Sequence, residues 1–270
     1  MIRAGVLAAL IAAPAGAAGP RVVSINPCVD AVLMQVADAG QIAGISHYSQ
    51  DPRATSIDLA LARRFTATSG TAEEVVALAP DIVIAGGHVA PSTILALKRL
   101  GVHLVQLTVP TTIAESESQV RTIAATVGHP ARGAALVARI DAAVAAARTA
   151  SGAPIPALIW QGGGLVPGRG TLADELLRDS GFRNLSGDYG LKKWDVLPLE
   201  YLVARPPRVL LSLGSGAADS DRMLRHPVLR PLAGRIAFRA YPERLLHCGG
   251  PSIIDAFGTL AAVRRSVPPA

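Results

Sequence analysis

Short apolar runs rich in β-branched residues alternate with amphipathic stretches along the chain. Four such runs in the first half have the length and composition of buried parallel strands: residues 22–25, 42–46, 81–85 and 103–108. Between them lie stretches with apolar side chains at helical spacing: residues 29–37, 71–78 and 91–100. The alternation of strand and helix predicts a parallel sheet covered by helices.

The second half repeats this pattern after a helical stretch. Its predicted strands are residues 155–161, 208–214 and 235–241, and its predicted helices are residues 171–180, 198–205 and 252–264. Residues 112–150 have no strand signal and one interruption, at Gly128-His129-Pro130, and residues 131–150 alone would form a helix about 30 Å long. We therefore predict two α/β lobes, residues 19–111 and 151–266, joined once through the helical connector 112–150.

An internal repeat links the two halves. The segment from Glu73 to Pro80 aligns with the segment that begins 127 residues later, at Glu200, with Glu, Val, Ala and Pro at the same positions. The strands that follow are similar in type, and Gly87 matches Gly214. This similarity favours one supersecondary unit present in both lobes. The alternative is that helix–Pro–strand joints look alike in any α/β protein, because proline ends helices.

The first residues have the pattern of an export signal. Arg3 is followed by an apolar run over residues 4–13 and by the small residues Ala15-Gly16-Ala17, which are typical of a cleavage site. The run is too short to span a bilayer, and no later segment reaches the roughly 20 apolar residues that a spanning helix needs. We predict that residues 1–18 are removed and that the mature chain is periplasmic, without membrane insertion.

Composition and charge exclude several classes of protein. The 270 residues are 50% hydrophobic and 17% charged, which is too apolar for a disordered chain. Lys and Arg number 26 against 20 Asp and Glu, but these cations are scattered, so a nucleic-acid partner is not expected. The sequence contains no GxGxxG after a strand, no P-loop, no GxSxG and no HExxH. An exported α/β enzyme without a recognisable motif remains an alternative.

Three stretches resemble the class III periplasmic substrate-binding proteins of ABC importers, which serve cobalamin, ferric siderophores and haem. They are residues 21–27, 42–46 and 73–86, and the resemblance extends over about residues 20–266. It implies two Rossmann-like α/β lobes joined by a single long backbone helix, with a ligand cleft between the lobes and little hinge motion. It also implies a monomeric binding protein, not an enzyme, that carries a cobalt or iron chelate to a transmembrane permease dimer.

In this family an acidic residue on each lobe docks onto arginines of the two-fold symmetric permease. The matching positions are Glu73 and Glu200, which the internal repeat also pairs. Two equivalent carboxylates would orient the binding protein on a symmetric partner and speed their encounter. The alternative is that both are first-turn glutamates that stabilise a helix N-terminus by a few tenths of a kcal/mol.

Loops at the carboxyl ends of parallel strands line the ligand sites of open α/β sheets, so candidate residues follow from position. In the first lobe they are Asn26, Pro27, Cys28, His47, Tyr48, Gly86, Gly87 and His88. In the second lobe they are Trp160, Gln161, Gly162 to Gly164, Tyr189, Trp194, Ser215, His247 and Cys248. The aromatic side chains among them would cover the flat face of a chelate, and the glycines would let the backbone approach it.

The chemistry of the histidines and cysteines leaves several alternatives open. His47, His88 and His247 are candidate metal ligands, or they hydrogen-bond loop backbone. Cys28 and Cys248 are candidate ligands, small buried residues, or a disulfide across the site. A receptor for bare zinc or manganese is less favoured, because no acidic residue accompanies these histidines in their loops.

The charge of the chelate is also open at this stage. A strongly anionic siderophore would require several arginines in the cleft, and only Arg169 and Arg222 lie near the predicted cleft loops. Cobalamin, a ferric siderophore and haem are therefore all retained as candidate ligands.

Overall fold

The computed structural model describes residues 19–148, 152–213, 226–232 and 234–267, which form two parallel β-sheets flanked by helices. The first sheet has the strand order β3-β2-β1-β4-β5. Its strands are β1 (Val22–Ser24), β2 (Ile42–Ser46), β3 (Ala67–Thr68), β4 (Ile82–Ala85) and β5 (His103–Gln106). The sequence predicts four of these strands, whereas the two-residue β3 is too short to have a pattern of its own.

The second sheet has the strand order β11-β10-β6-β8, and all its strands are parallel. Its strands are β6 (Ile155–Trp160), β8 (Phe182–Asn184), β10 (Val209–Leu213) and β11 (Ala237–Tyr241). An antiparallel pair, β7 (Leu165–Pro167) and β9 (Trp194–Val196), lies beside this sheet. The three predicted strands of this half are confirmed, and β7, β8 and β9 are additions of three residues each.

Helices cover both sheets. They are α1 (Pro27–Val36), α2 (Leu59–Ala62), α3 (Ala72–Ala77), α4 (Pro91–Arg99), α5 (Ile113–Thr126), α6 (Pro130–Arg148), α7 (Leu172–Asp179), α8 (Leu199–Ala204) and α9 (Ser252–Arg265). The predicted connector is a pair of helices, α5 and α6, separated at Gly128 and His129, where Gly128 has a φ of +82°. The long backbone helix is α6, whose 19 residues span about 28 Å.

The connector packs against both halves of the chain. Helix α6 contacts α5 along its length, and it also contacts α1 before the connector and α9 at the end of the chain. Gly133 permits this close approach, because a Cβ at this position would overlap the methyl group of Ala124. One core cluster therefore includes Val22 of the first sheet, Ile140 of the connector and Ile159 of the second sheet.

The internal repeat corresponds to matched elements of the two sheets. Strand β4 lies between β1 and β5, and strand β10 lies between β6 and β11. Helix α3 precedes β4 and helix α8 precedes β10, and Ile82 and Val209, which begin these strands, are themselves 127 residues apart. The repeated segment is thus the same helix–strand unit in each lobe. Gly214, the predicted match of Gly87, lies outside the described residues.

Candidate ligand-binding cleft

Loops at the carboxyl ends of both sheets line a group of adjoining cavities. Asn26 follows β1 and His88 follows β4, whereas Gln161 follows β6 and His247 follows β11. Open α/β sheets bind ligands at this edge. The two sheets therefore present their ligand-binding edges to one cleft.

The first cavity of the cleft has a volume of about 470 Å³. It is lined by His88, Val109 and Thr111 from the first half of the chain, and by Gln161, Trp194 and His247 from the second half. Trp194 retains 41% of its surface exposed, which leaves the indole available to a ligand. A large, mostly apolar space with a few polar groups is typical of a small-molecule site.

Two further cavities adjoin the first. The second is small, about 70 Å³, and includes Asn26, Gly87 and both His88 and His247 in its lining. The third has a volume of about 440 Å³ and is lined by residues that include Tyr48, Arg53, Glu243, His247 and Cys248. His247 lines all three cavities, which makes it the central side chain of the cleft.

An acidic residue does lie beside one of the histidines, contrary to the sequence-based expectation. The Nε2 atom of His247 is 3.6 Å from Oε1 of Glu243, because a short 3₁₀ turn at Glu243–Leu245 brings the carboxylate back towards the loop. Nevertheless, among the described residues no group of three or more His, Cys, Asp or Glu side chains is arranged to hold a metal ion.

Asn26 has a structural role at the edge of the cleft. Its side-chain oxygen accepts hydrogen bonds from the backbone N–H groups of Cys28 at 2.8 Å and Val29 at 3.2 Å, and so caps α1. Gly86 lies against this side chain, and a Cβ at position 86 would overlap the Asn26 amide. The predicted glycine at this loop is thus required by the cap of α1.

Cys28 and Cys248 form a disulfide, which settles the alternatives that the sequence leaves open. The bond joins the first turn of α1 to the loop that precedes α9. A sulfur atom in a disulfide carries no thiolate, so the two cysteines are not metal ligands in this state. The bond contributes to the cleft as a covalent link between its two sides.

His47 and Tyr48 form an aromatic pair near the cleft, in the 3₁₀ turn His47–Gln50. Their ring centroids are 4.1 Å apart, and the His47 Nδ1 atom is 3.2 Å from the carbonyl oxygen of Thr68. Tyr48 is exposed and lines the third cavity, whereas His47 contacts none of the three cavities. His47 therefore supports Tyr48 and hydrogen-bonds loop backbone.

Trp160 and Tyr189 do not line the cleft, in contrast to the sequence-based prediction. Trp160 is the last residue of β6, where its side chain points into the core of the second lobe and is 1% exposed. Tyr189 is 8% exposed in the same core cluster, and its hydroxyl donates a hydrogen bond to the carbonyl oxygen of Arg205. Both aromatic rings stabilise this lobe rather than cover a ligand.

Arg169, which the sequence places near the cleft loops, does not line the described cavities. It forms an ion pair with Asp188, with 3.6 Å between Nη2 and Oδ1. Ser215 and Arg222 lie outside the described residues. Glu73 and Glu200 are exposed in the first turns of α3 and α8. The matched positions of these two glutamates follow from the repeated helix–strand unit.

Several of the residues that line the cleft are not predicted from the sequence. Val109 and Thr111 follow β5, so extending the strand-end rule to that strand would have identified them. Leu165 and Lys193 enter the cavity through β7 and the turn before β9, which have no clear strand pattern. Lys193 has a φ of +50°, an unusual value for a residue other than glycine.

A buried carboxyl group underlies the loop that carries Tyr48. Asp30 of α1 is fully buried and accepts hydrogen bonds from the Ser49 hydroxyl at 2.6 Å and from the Ser46 backbone N–H at 2.9 Å. Burial raises the pKa of the Asp30 carboxyl to about 7, against the lowering effect of hydrogen bonds from Ser24, Ser49 and the Ser46 backbone.

Comparisons with known proteins give the same assignment of fold. A family model described as periplasmic binding protein matches residues 22–236. The apo periplasmic haem-binding protein RhuT from Roseiflexus sp. RS-1 has a TM-score of 0.73 at 24% identity, covering 90% of this chain and 98% of that one. The periplasmic vitamin B12-binding protein BtuF of Vibrio cholerae has a TM-score of 0.73 at 16% identity, covering 93% and 98%.

The match to a curated relative covers only part of that protein's length. The cobalamin-binding protein of Halobacterium salinarum is 26% identical over 214 residues, which cover 75% of this chain and 55% of that protein. This chain thus spans about half the length of the curated relatives it matches. No helix among the described residues is long and apolar enough to cross a membrane. With the family match over residues 22–236, the chain belongs to the periplasmic binding protein family.

Proposed function

We propose that this protein binds a planar iron or cobalt chelate, a haem or a corrinoid, in the first cavity and delivers it to an ABC permease. The observation that carries the proposal is the composition of that cavity, about 470 Å³ with Trp194, His88 and His247 in its wall. An indole covers a flat ring with a large apolar area, and imidazole coordinates iron and cobalt. Proteins named for binding haem and vitamin B12 share the fold.

Ferric siderophores are the less favoured chelates. A strongly anionic siderophore needs several cationic groups, and apart from its histidines the first cavity has Lys193 as its one basic lining residue among those described. Binding without turnover is favoured over an exported enzyme, because the matched family is one of binding proteins. A test with ester and phosphate substrates should therefore detect no turnover.

Titration with three chelates tests the proposal directly. Haemin, aquocobalamin and a ferric siderophore are added separately to the purified protein, and quenching of Trp fluorescence and the absorption bands of each metal chelate are followed. We expect saturable binding of haemin or the corrinoid with a shift of the absorption bands. Replacing His88 or His247 by Ala should change that shift, whereas His103→Ala, at the exposed start of β5, should not. Failure of both haemin and aquocobalamin to bind would refute the proposal, whether or not the siderophore binds.

We also propose that the protein is periplasmic and that its partner is an ABC permease. Export through residues 1–18 is tested by sequencing the N-terminus of the protein recovered from the periplasm, which should begin near Ala18 or Gly19. Delivery to the permease would use Glu73 and Glu200, which are exposed at matched positions in α3 and α8. A two-fold symmetric membrane dimer is the kind of partner that two equivalent carboxylates fit.

A further inference from the structure

We infer that the bound chelate carries carboxylate groups on its periphery, and that Lys193 recognises one of them and so sets ligand specificity. This inference rests on the proposed function and narrows it, from any planar chelate to one with an anionic edge. The supporting observations are the charges around the first cavity and the backbone conformation that places Lys193 in its wall.

The lining of the first cavity has a cation but no carboxylate. Lys193 and the two histidines are its ionisable residues, and no Asp or Glu belongs to its wall among the described residues. The acidic residues adjacent to lining residues are engaged elsewhere: Asp174 pairs with Arg178 at 3.3 Å, and Asp195 accepts a hydrogen bond from the Val196 N–H at 2.8 Å. Glu115 and Glu175 likewise accept hydrogen bonds from the Thr111 and Ile113 N–H groups, each at 2.7 Å. Glu243 faces His247 from the third cavity.

Two neighbouring arginines are occupied, whereas Lys193 is available. Arg169 pairs with Asp188, and Arg178 pairs with Asp174 at 3.3 Å. Among the described residues, Lys193 has no ion pair, and its side chain is exposed at the cavity wall. Among its described lining residues, the first cavity thus has one uncommitted ammonium group and no carboxylate. A ligand with a carboxylate at that edge gains a charge-assisted hydrogen bond, which is stronger than one to a neutral amide.

The backbone conformation gives a second reason to assign a role to Lys193. Adjacent residues of a strand normally point to opposite faces, yet Lys193 and Trp194 both line the first cavity. The φ of +50° at Lys193 makes this possible, because it turns the chain immediately before β9 begins at Trp194. Left-handed backbone at a residue other than glycine carries a conformational cost and is found preferentially at ligand sites.

Gly168 holds this turn in place. Its N–H donates a hydrogen bond to the carbonyl oxygen of Lys193, and Pro167 pairs with Trp194 in the antiparallel β7–β9 ladder. A Cβ at position 168 would overlap the Lys193 backbone. The turn is therefore fixed by close backbone packing. It presents the Lys193 ammonium group to the edge of a flat ligand and the Trp194 indole to the face of that ligand.

The test compares ligands that differ only in their carboxylates. Haemin and haemin dimethyl ester are titrated, in the same small fraction of DMSO, into the wild type and into Lys193→Ala, Lys193→Arg and Lys192→Ala. Lys192 is the matched control, since it is the adjacent exposed lysine and does not line the cavity. Cyanocobalamin and its monocarboxylic acid, in which one peripheral amide is replaced by a carboxylate, form a second pair.

We expect the wild type to bind haemin about tenfold more tightly than its diester, and added salt to weaken binding of haemin only. Lys193→Ala should remove this preference by weakening haemin binding alone, while Lys193→Arg and Lys192→Ala retain it. If haemin does not bind, the same preference is expected within the cobalamin pair. Equal affinity of carboxylate and neutral ligands, or a preference that survives Lys193→Ala, overturns the inference and leaves the proposed function standing. Binding of none of the four ligands overturns both.

Discussion

Cys28 and Cys248 are joined by a disulfide that connects two residues 220 positions apart in the chain, with their Cα atoms 5.1 Å apart. Cys28 belongs to the second cavity and Cys248 to the third. The bond thus lies in the cleft itself and links the helix α1 of the first lobe to the loop before α9. Together with the packing of α6 against α1 and α9, it restrains the separation of the two lobes.

Removing the disulfide should lower the stability of the protein. In Cys28→Ser with Cys248→Ser, we expect the free energy of unfolding to fall by about 2–5 kcal/mol, because the bond closes a very long loop in the unfolded chain. Denaturant unfolding of the wild type and the double variant measures the difference. A reductant should destabilise the wild type only. Equal stability of the oxidised wild type and the double variant would contradict the prediction.

Trp194→Ala should weaken chelate binding without unfolding the protein. The indole is partly exposed in the first cavity, so its loss removes contact area with the ligand worth on the order of 1–3 kcal/mol. Calorimetric titration with the chelate that binds measures the change. Trp194→Phe retains an aromatic face and should recover much of the affinity, whereas unchanged affinity in Trp194→Ala would place the indole outside the site.

Tyr189→Ala should lower the stability of the protein rather than its chelate affinity. We expect the free energy of unfolding to fall by about 3–5 kcal/mol, because a large buried side chain is truncated. Tyr189→Phe keeps the ring but loses the hydrogen bond to the Arg205 carbonyl oxygen, so a smaller loss of about 1 kcal/mol is expected. Thermal and denaturant unfolding measure both effects. A variant that retains full stability but loses chelate affinity would show that the ring acts at the ligand instead.

Periodicity predicts the sheets because their central strands, β1, β2, β4, β6 and β10, are largely apolar runs buried on both faces. This double burial also explains why the same reasoning is wrong about Trp160. Trp160 ends β6 and points into the core, while the next residue, Gln161, lines the first cavity. A strand-end rule identifies the right loop but cannot decide between two consecutive residues, since they point to opposite faces of the sheet.

Lys193 illustrates a different limit of the sequence. Its place in the cavity depends on one left-handed backbone angle and on close contact with Gly168, two features that leave no periodic pattern. The Cys28–Cys248 pairing is similar, because 220 residues separate two cysteines whose proximity is set by the packing of both lobes. The repeat at Glu73 and Glu200, in contrast, is readable because the same local helix–strand unit recurs.

Asp30 should make stability depend on pH. Its folded-state pKa of about 7 is above the ordinary value of 3.8, so between these values the folded protein holds a proton that the unfolded chain releases. The free energy of unfolding should therefore fall as pH rises from about 4 to 7 and level off above 7. Asp30→Asn removes the titration, so the wild type should lose stability relative to this variant over that range, by at most about 4 kcal/mol. A pH-independent difference between them would contradict the assignment.

Docking to the permease should depend on Glu73 and Glu200, whichever chelate is bound. Glu73 and Glu200 begin matched helices and are both exposed. Replacing each by Ala should leave chelate affinity and thermal stability nearly unchanged, because an exposed carboxylate at a helix start contributes only tenths of a kcal/mol. Glu73→Arg with Glu200→Arg should abolish uptake by placing like charges opposite a cationic partner, and the wild-type interaction should weaken with salt.

A matched control separates docking from net charge. Asp141→Arg with Asp255→Arg makes the same change of charge at exposed positions of α6 and α9, away from α3 and α8, and should leave uptake intact. Uptake is measured in cells with the chelate that the protein binds, and docking is measured with the purified permease at two salt concentrations. Wild-type uptake in the Glu73 and Glu200 reversal would show that these glutamates only stabilise their helices. Equal loss in both double reversals would show a general effect of charge, whereas loss confined to the first assigns docking to the repeated unit.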